Sequence, residues 1–407
     1  MTRPVVITGG GTVGSFGLGF DRLADALRTS TPSLTEVDRS AGYHRANGAR
    51  LAALACAQDL GQWLPSGAGR RMSPPSRLAV AAARMALRSA SLDADGAGMA
   101  DTAVVLSTTL GPASFTEKLY RAILTDGPET ASPFLFTECV ANAPAAQVAI
   151  ACGATGPNVT VVQREAGALI ALGRGAREIA SGRVSRALVG VVDELPPLAH
   201  AVLDRYDALA RATPHGPEAA RPFDRRRNGF VASEGATVLV LEEERAARER
   251  SAPPLACIRG CGGAFDPSAS RVGWGTGLGP LRDGLRRVLT RVGLLPRDVC
   301  RVVSGASGSV AGDRLEARVL RAVFEGTALP PLLAPKGVTG EYGGGFLASV
   351  VLAAQGREFG ATAGFGEPDP ELGIVPHAGG ELPAPKTVLA SSLAAGGAAA
   401  WVVLGAP

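Results

Sequence analysis

Short runs that are apolar at nearly every position alternate with helix-like runs along the whole chain, and this alternation constrains the fold most. Residues 102–109, 187–193 and 235–241 are rich in Val and Leu and lack the in–out alternation of a half-exposed strand. Strands of that kind are covered on both faces. Between them, residues 73–87 open on Pro74-Pro75 and continue as an Ala-rich helix. Residues 20–27 and 111–124 also have helical spacing. The same style returns later. Residues 255–259 read as a strand, 280–292 as a helix with Pro280 well placed at its start, Val302-Val303 as a strand, and 314–324 and 347–355 as helices before the apolar 400–404. The pattern predicts an α/β fold with largely parallel or mixed, buried sheets. A charged stretch at 242–250, followed by Ser251-Ala252-Pro253-Pro254, interrupts it. We therefore expect two similar halves, residues 1–250 and 251–407. Hydrophobic residues at 46% and charged residues at 19% of 407 supply a large core and exclude general disorder.

One strand-to-helix turn carries a possible site. Gly156-Pro157-Asn158-Val159-Thr160-Val161-Val162 reads as a β-branched strand, and residues 168–179 have the small and apolar spacing of a buried helix. Such turns project a side chain, and the helix N-terminus favours an anion there. The projecting residue is Glu165, which is a poor acyl carrier. A second turn-like segment, Gly9-Gly10-Gly11-Thr12-Val13-Gly14, follows the short strand Val5-Val6-Ile7-Thr8 and fits GxGxxG. Dinucleotide binding would also need a second strand ending in Asp or Glu about 20 residues on, where this chain has a helix-like run and a polar loop instead. The segment is expected to be a glycine-rich turn after the first core strand.

Other classes are thinly supported. The basic surplus of four gives no nucleic-acid signal and would not repel an acidic partner. The six cysteines (Cys56, Cys139, Cys152, Cys257, Cys261 and Cys300) form no CxxC pattern, so free thiols are expected and no metal or cofactor is implied. Cys152 reads as the end of a helix. The four histidines, His44, His200, His215 and His377, lie in no recognisable motif and are expected on the surface or in loops. No signal-peptide pattern or membrane-length apolar run is present, which makes a cytoplasmic protein without membrane contact the simplest expectation.

Several segments together resemble the β-ketoacyl synthases. They are Val5 to Gly14, Gly156 to Val161, Gly182 to Asp193, and above all Arg221-Pro222-Phe223-Asp224-Arg225-Arg226-Arg227-Asn228-Gly229-Phe230 followed by Ser233-Glu234-Gly235-Ala236. The resemblance spans essentially the whole chain and implies a thiolase-like five-layered αβαβα fold of two similar halves. The family's chemistry needs a cysteine to take the acyl chain and two histidines for decarboxylation and oxyanion stabilisation. By this resemblance the cysteine position is Glu165. The first histidine is Gly305, ahead of Gly312-Asp313 and Glu316. The second is Glu341, after Lys336, Thr339 and Gly340. The glycine-rich gating turn reads Ala394-Ala395-Gly396-Gly397, without its phenylalanine. Lys336 and Glu316 match a buried ion pair of the family.

With these positions empty, the resemblance points to the non-catalytic chain length factor (ketosynthase β) subunits of type II polyketide synthases. There the cysteine is commonly Gln followed by Ala-Gly, as Glu165 is here followed by Ala166-Gly167. Such a subunit pairs as a heterodimer with an active ketosynthase, serves an acyl carrier protein through that complex, and shapes a tunnel for the growing chain. The Gln-to-Glu departure suggests a divergent branch, with polyene-making, highly reducing systems as possible hosts. By the same resemblance the tunnel-lining residues are Ala113, Thr116 and Tyr120, which fall at i, i+3 and i+7 on one helix face. The alternatives are a stand-alone acyltransferase or decarboxylase using Glu165 or Cys152, and a dinucleotide-dependent oxidoreductase built on Gly9 to Gly14.

Overall fold

Ten strands follow one another across the main sheet, and their order repeats. The computed structural model describes residues 3–407 except 57–59, 68, 70, 94–98 and 215, so His215 lies outside the described residues. The first five strands are β1 (Val5–Gly14), β2 (Thr102–Thr108), β3 (Asn158–Val162), β4 (Arg186–Asp193) and β5 (Gly235–Glu243). The next five are β6 (Ala256–Phe265), β7 (Arg301–Ser304), β8 (Leu332–Leu333), β9 (Thr387–Leu393) and β10 (Ala398–Gly405). Their spatial order is β3-β2-β4-β5-β1-β6-β10-β9-β7-β8. In the first set β5 pairs antiparallel with β1 and β4, and β2 pairs parallel with β4 and β3. In the second, β10 pairs antiparallel with β6 and β9, and β7 pairs parallel with β9 and β8. Each strand thus has a counterpart five places later. The sets join where Val5, Val6 and Ile7 pair with Ile258, Cys257 and Ala256.

Helices α1 (Phe20–Thr29), α2 (Pro74–Ser89), α3 (Ala113–Asp126), α4 (Pro133–Glu138), α5 (Ala143–Cys152), α6 (Gly167–Ala180), α7 (Pro197–Arg205) and α8 (Glu244–Glu249) precede β6. After it come α9 (Leu278–Arg291), α10 (Val310–Val323), α11 (Lys336–Thr339) and α12 (Gly345–Ala354). Three large apolar clusters define the layers. Leu87 on α2 and Val148 on α5 pack on Val104, Leu188 and Val240 of the first sheet half. Leu169 and Leu172 on α6 and Leu347 and Val351 on α12 pack together, against Val105 and Val189 on one side and Val388 and Val402 on the other. Leu285 on α9 and Leu320 on α10 cover Val302 and Trp401. The result is α-β-α-β-α, the five-layer arrangement that the sequence resemblance implies. α12 is apolar all round and every residue in it is buried, as a middle-layer helix requires.

The glycines at 9–11 are not a turn. β1 runs through them to Gly14. A Cβ at Gly9 would lie 2.4 Å from the Ala86 carbonyl oxygen of α2, and one at Gly11 would lie 2.1 Å from that of Ala82. These glycines let a helix backbone press directly on a strand. Both neighbours of β1 are antiparallel, unlike the parallel strands around a dinucleotide turn, and the phosphate-binding reading falls with the turn. His200 also departs from expectation: it is fully buried on α7, 3.1 Å from His44. Burial pushes its imidazole down to about 4, so it is neutral at physiological pH. Among the described residues, no helix is long and apolar enough to cross a membrane.

Candidate functional site

Glu165 stands in the turn between β3 and α6, where the sequence places it. The turn is tight because Gly167 packs on β2, and a Cβ there would lie 2.2 Å from Ser107 Oγ. The Glu165 carboxylate points inward. Its Oε2 accepts the Ala395 N–H at 3.2 Å, and its carbonyl oxygen accepts Ser392 Oγ–H at 2.7 Å. Ala395 belongs to the β9–β10 turn, so Glu165 ties the middle layer to the second sheet half.

Glu341 and Gly305, which the resemblance sets at the two histidine positions, lie around the same turn. Glu341 is buried, and its Oε1 accepts from Lys336 Nζ at 2.5 Å and from the Tyr342 N–H at 3.2 Å. Lys336, the first residue of α11, is buried as well and lies 5.0 Å over the Phe346 ring. Burial, and after it the Glu341 carboxylate, push Glu165 up to about 7, partly opposed by Lys336 and Arg164. The two replacement carboxylates therefore converge, with one ammonium to serve both. Gly305 faces a wall: a Cβ there would meet Ser392 Oγ at 2.8 Å and the Ser391 carbonyl oxygen at 3.0 Å. A histidine at Gly305 would need that wall to move.

The expected pair of Lys336 with Glu316 is corrected. Among the described residues, the ion pair of Lys336 is with Glu341. Glu341 sits five residues along the same tight segment, whereas the Glu316 carboxyl on α10 lies beside Ser391 and Ser304. Burial raises Glu316 to about 7, and Lys336 offsets this only in part. Cys152 is buried among Leu87, Val104 and Leu106, in the outer layer across the sheet from Glu165. Glu165 belongs instead to the α6 side, so Cys152 has no part in this site.

Two features beside the site escaped the sequence reading. Tyr342 follows Glu341 with a left-handed φ of 77°, which strains a bulky residue, and its ring meets Phe230 edge-on at 5.7 Å. Burial, then Glu165, Glu341 and Asp193, hold its phenol well above the usual range. The second is Asp193-Glu194 at the end of β4. Asp193 Oδ1 accepts the N–H groups of Thr109 and Leu110 at 2.7 and 2.9 Å, and Glu194 accepts the N–H and hydroxyl of Ser114 at 2.7 and 2.8 Å. These bonds aim α3. An acidic pair ending a buried strand was the available signal.

On α3, Ala113, Thr116 and Tyr120 come together on one groove of about 620 Å³, whose far wall is α7. Around α3 the surface is apolar. Phe134 and Phe136 of α4, Ile150 of α5, Val162 of β3 and Leu124 are all exposed. β3 is the end strand of its sheet half, so its outer edge has no partner strand among the described residues.

Comparison with known proteins follows the same lines. The family profile described as beta-ketoacyl synthase, N-terminal domain, matches residues 2–247. The tetracenomycin polyketide synthase ketoacyl synthase beta subunit of Streptomyces glaucescens is 32% identical over 381 residues, covering 91% of this chain and 90% of that protein. The alpha subunit of the same synthase is 30% identical over 426 residues, covering 100% and 97%. The solved structure titled the ishigamide ketosynthase/chain length factor superposes with a TM-score of 0.89 at 27% identity, covering 100% of both chains.

Proposed function

Since this chain belongs to the β-ketoacyl synthase family, we propose that it is a non-catalytic chain length factor, pairing with an active β-ketoacyl synthase and shaping that partner's acyl tunnel. Identity alone does not separate the two subunit types, because the alpha and beta relatives are nearly equally similar. The observation that carries the reading is the filled pocket. Glu165 occupies the nucleophile seat and is bonded to Ala395, Glu341 is bonded to Lys336, and Gly305 has no side chain. No thiolate can form at Glu165, and neither Glu341 nor Gly305 supplies an imidazole to polarise a carbonyl. Acyl transfer or decarboxylation at Glu165 has no observation in its favour, because the carboxyl is buried and already engaged.

The partner face is consistent with this role. An unpaired sheet edge beside exposed Phe134, Phe136, Ile150 and Val162 is the kind of surface that a monomer leaves open only for a companion. An intact ketosynthase subunit is the companion proposed, with a carrier protein delivering substrate to the pair. Within that arrangement Ala113 leaves room in the groove and Tyr120 fills it.

Co-expression with an intact ketosynthase, followed by size exclusion and a condensation assay, tests the proposal. A stable heterodimer that is active only when both chains are present is the expected result. A ketosynthase equally active without this chain would sink it. Tyr120→Gly is expected to lengthen the product, and an unchanged product spectrum would remove Tyr120 from the tunnel.

A further inference from the structure

The two helices that wall the groove are held together in different ways along their length. At their starts they are joined through Glu194, just before α7, which accepts the N–H and hydroxyl of Ser114 on α3. Further along, no hydrogen bond or ion pair runs directly between α3 and α7 among the described residues. The apolar contacts across the groove are non-directional and fix no spacing by themselves. What joins the later turns of the two helices is a third segment, the loop of residues 38–50.

Thr35 and Glu36 pair antiparallel with Ala52 and Leu51, and the Val37 N–H donates to the Arg50 carbonyl oxygen at 2.8 Å, so the ends of this loop meet. Three consecutive side chains then reach the two helices. Tyr43 donates its hydroxyl proton to Glu117 Oε1 on α3 at 2.6 Å, and Arg121 of α3 donates to the same hydroxyl. His44 Nε2 lies 3.1 Å from His200 Nδ1 on α7. His200 Nε2 faces the Leu51 carbonyl oxygen at 3.4 Å, which can only accept. His200 therefore carries its proton at Nε2 and takes the His44 N–H at Nδ1. Arg45 donates to Asp204 Oδ2 on α7 at 3.1 Å and to the Asp204 carbonyl oxygen. Arg205 returns a bond to the Tyr43 carbonyl oxygen at 3.2 Å. His200 and Asp204 are fully buried, so the anchor on α7 is fixed by packing. Of the three loop residues only Tyr43 lines the groove.

We propose that Tyr43, His44 and Arg45 are a clasp that sets the distance between α3 and α7, and with it the length of acyl chain the groove admits. This inference rests on the chain-length reading. The three are positioning residues. His44 and Arg45 act wholly through α7, and Tyr43 acts through Glu117 and Arg121 on α3. Hydrogen bonds hold their partners within a narrow range of length, so the clasp supplies the fixed spacing that the apolar walls lack. With the helix starts tied at Glu194, releasing the clasp lets the later turns separate and opens the groove at that end.

The test uses the purified heterodimer with an acyl primer and a malonyl-loaded carrier protein, and reads the distribution of product lengths by mass spectrometry. Tyr43→Phe keeps the ring and removes the bond to Glu117. His44→Leu removes the bond to His200 at a residue outside the groove lining, so it cannot act by touching the chain. In each variant the share of product one extension longer than the main product is expected to rise about 5-fold, the effect of one lost hydrogen bond. The double variant is expected to go little further, since a clasp opened at one helix is already open. An unfolded fraction makes no product and leaves the distribution unchanged, so a folding defect does not imitate this result. A distribution unchanged or shortened in His44→Leu, or shifts that add in full in the double variant, overturns the inference; the chain-length reading then stands if Tyr120→Gly still lengthens the product. A ketosynthase that gives the same distribution without this chain overturns the chain-length reading and the inference with it.

Discussion

The seat around Glu165, where the two halves meet, and the groove beside α3, which lies in the first half alone, handle burial in opposite ways. In the seat, charged groups are buried and held by the protein: Glu341 Oε1 holds Lys336 and Glu165 holds the backbone of Ala395, while Glu341 Oε2 has no partner among the described residues. In the groove and on the face around it, apolar groups are exposed and satisfy nothing: Leu124 is 82% exposed and Tyr120 60%. A pocket that keeps its chemistry leaves polar groups free for substrate, and one that has lost it must be filled or collapse. A free apolar face has the reverse meaning, since it is costly until something covers it. The contrast teaches that buried charge in this chain is held by its own residues, whereas the apolar surface around α3 awaits a cover.

The largest expected effect breaks the surface side of this comparison. Phe136→Asp together with Val162→Arg puts two charges on the exposed face beside the β3 edge. Both residues are exposed in the single chain, so its own unfolding midpoint should stay nearly unchanged. Pairing with the ketosynthase should weaken by about 100-fold or more, as for the loss of two central anchors. Analytical ultracentrifugation with the partner reads this directly, and an unchanged dissociation constant would mean that the partner binds elsewhere.

The next breaks the buried side. Lys336→Met leaves Glu341 without its ammonium, and loss of one member of a buried pair costs about 3–5 kcal/mol. Adding Glu341→Gln to that variant should recover most of the loss, because the stranded charge is then gone. Urea unfolding of the single and double variants measures both. A Lys336→Met chain as stable as the original would show that the ammonium is dispensable.

How much of this was legible in the sequence depends on the reach of each interaction. The strands and helices were legible because a strand buried on both faces must be apolar throughout, as 187–193 and 235–241 are. The positions proposed as emptied were legible only through the family resemblance, which the motifs at Lys336 and Gly312-Asp313 carry. Gly9 to Gly11 misled because glycine marks a turn and a close approach with the same letter, and only the backbone of α2 decides between them. The partner of Lys336 was misassigned because the substituted Glu341 competes for it at short range, a contest that the inherited spacing does not encode. His200 gave no sign of its burial, since the residues enclosing it come from distant parts of the chain.

A smaller effect sharpens the buried side further. Glu165 titrates near 7 in the folded chain against about 4.5 when unfolded. Between those values the folded state holds the proton and the unfolded state does not. The stabilisation is therefore complete below about pH 4.5 and fades as pH rises through 7. From pH 5 to pH 8 this single group should remove roughly 2–3 kcal/mol. Glu316, Glu194 and Asp193 are also raised by burial and add slopes of the same sign, so the comparison must be between variants. Glu165→Gln should flatten the stability–pH curve by that amount without moving its acid end. Parallel curves for the two proteins would mean that Glu165 stays ionised throughout.

The smallest expected effect is none at all, and it tests whether the emptied seat could be refilled. Glu165→Cys restores the nucleophile type at the turn where α6 begins. The start of α6 favours a thiolate there, but acylation also needs donors for the developing oxyanion, and the nearest ammonium is already held by Glu341. The first histidine position is Gly305, where even a Cβ would press on Ser391 and Ser392. Adding Glu341→His would free Lys336 and supply one imidazole, but still no second donor on the far side of the carbonyl. Neither variant should take up a radiolabelled acyl group from a thioester above background, nor decarboxylate malonyl thioester. Acylation of the single variant at a rate comparable to an intact ketosynthase would mean that the seat is still active, and that the loss of function lies in one side chain instead of the whole pocket.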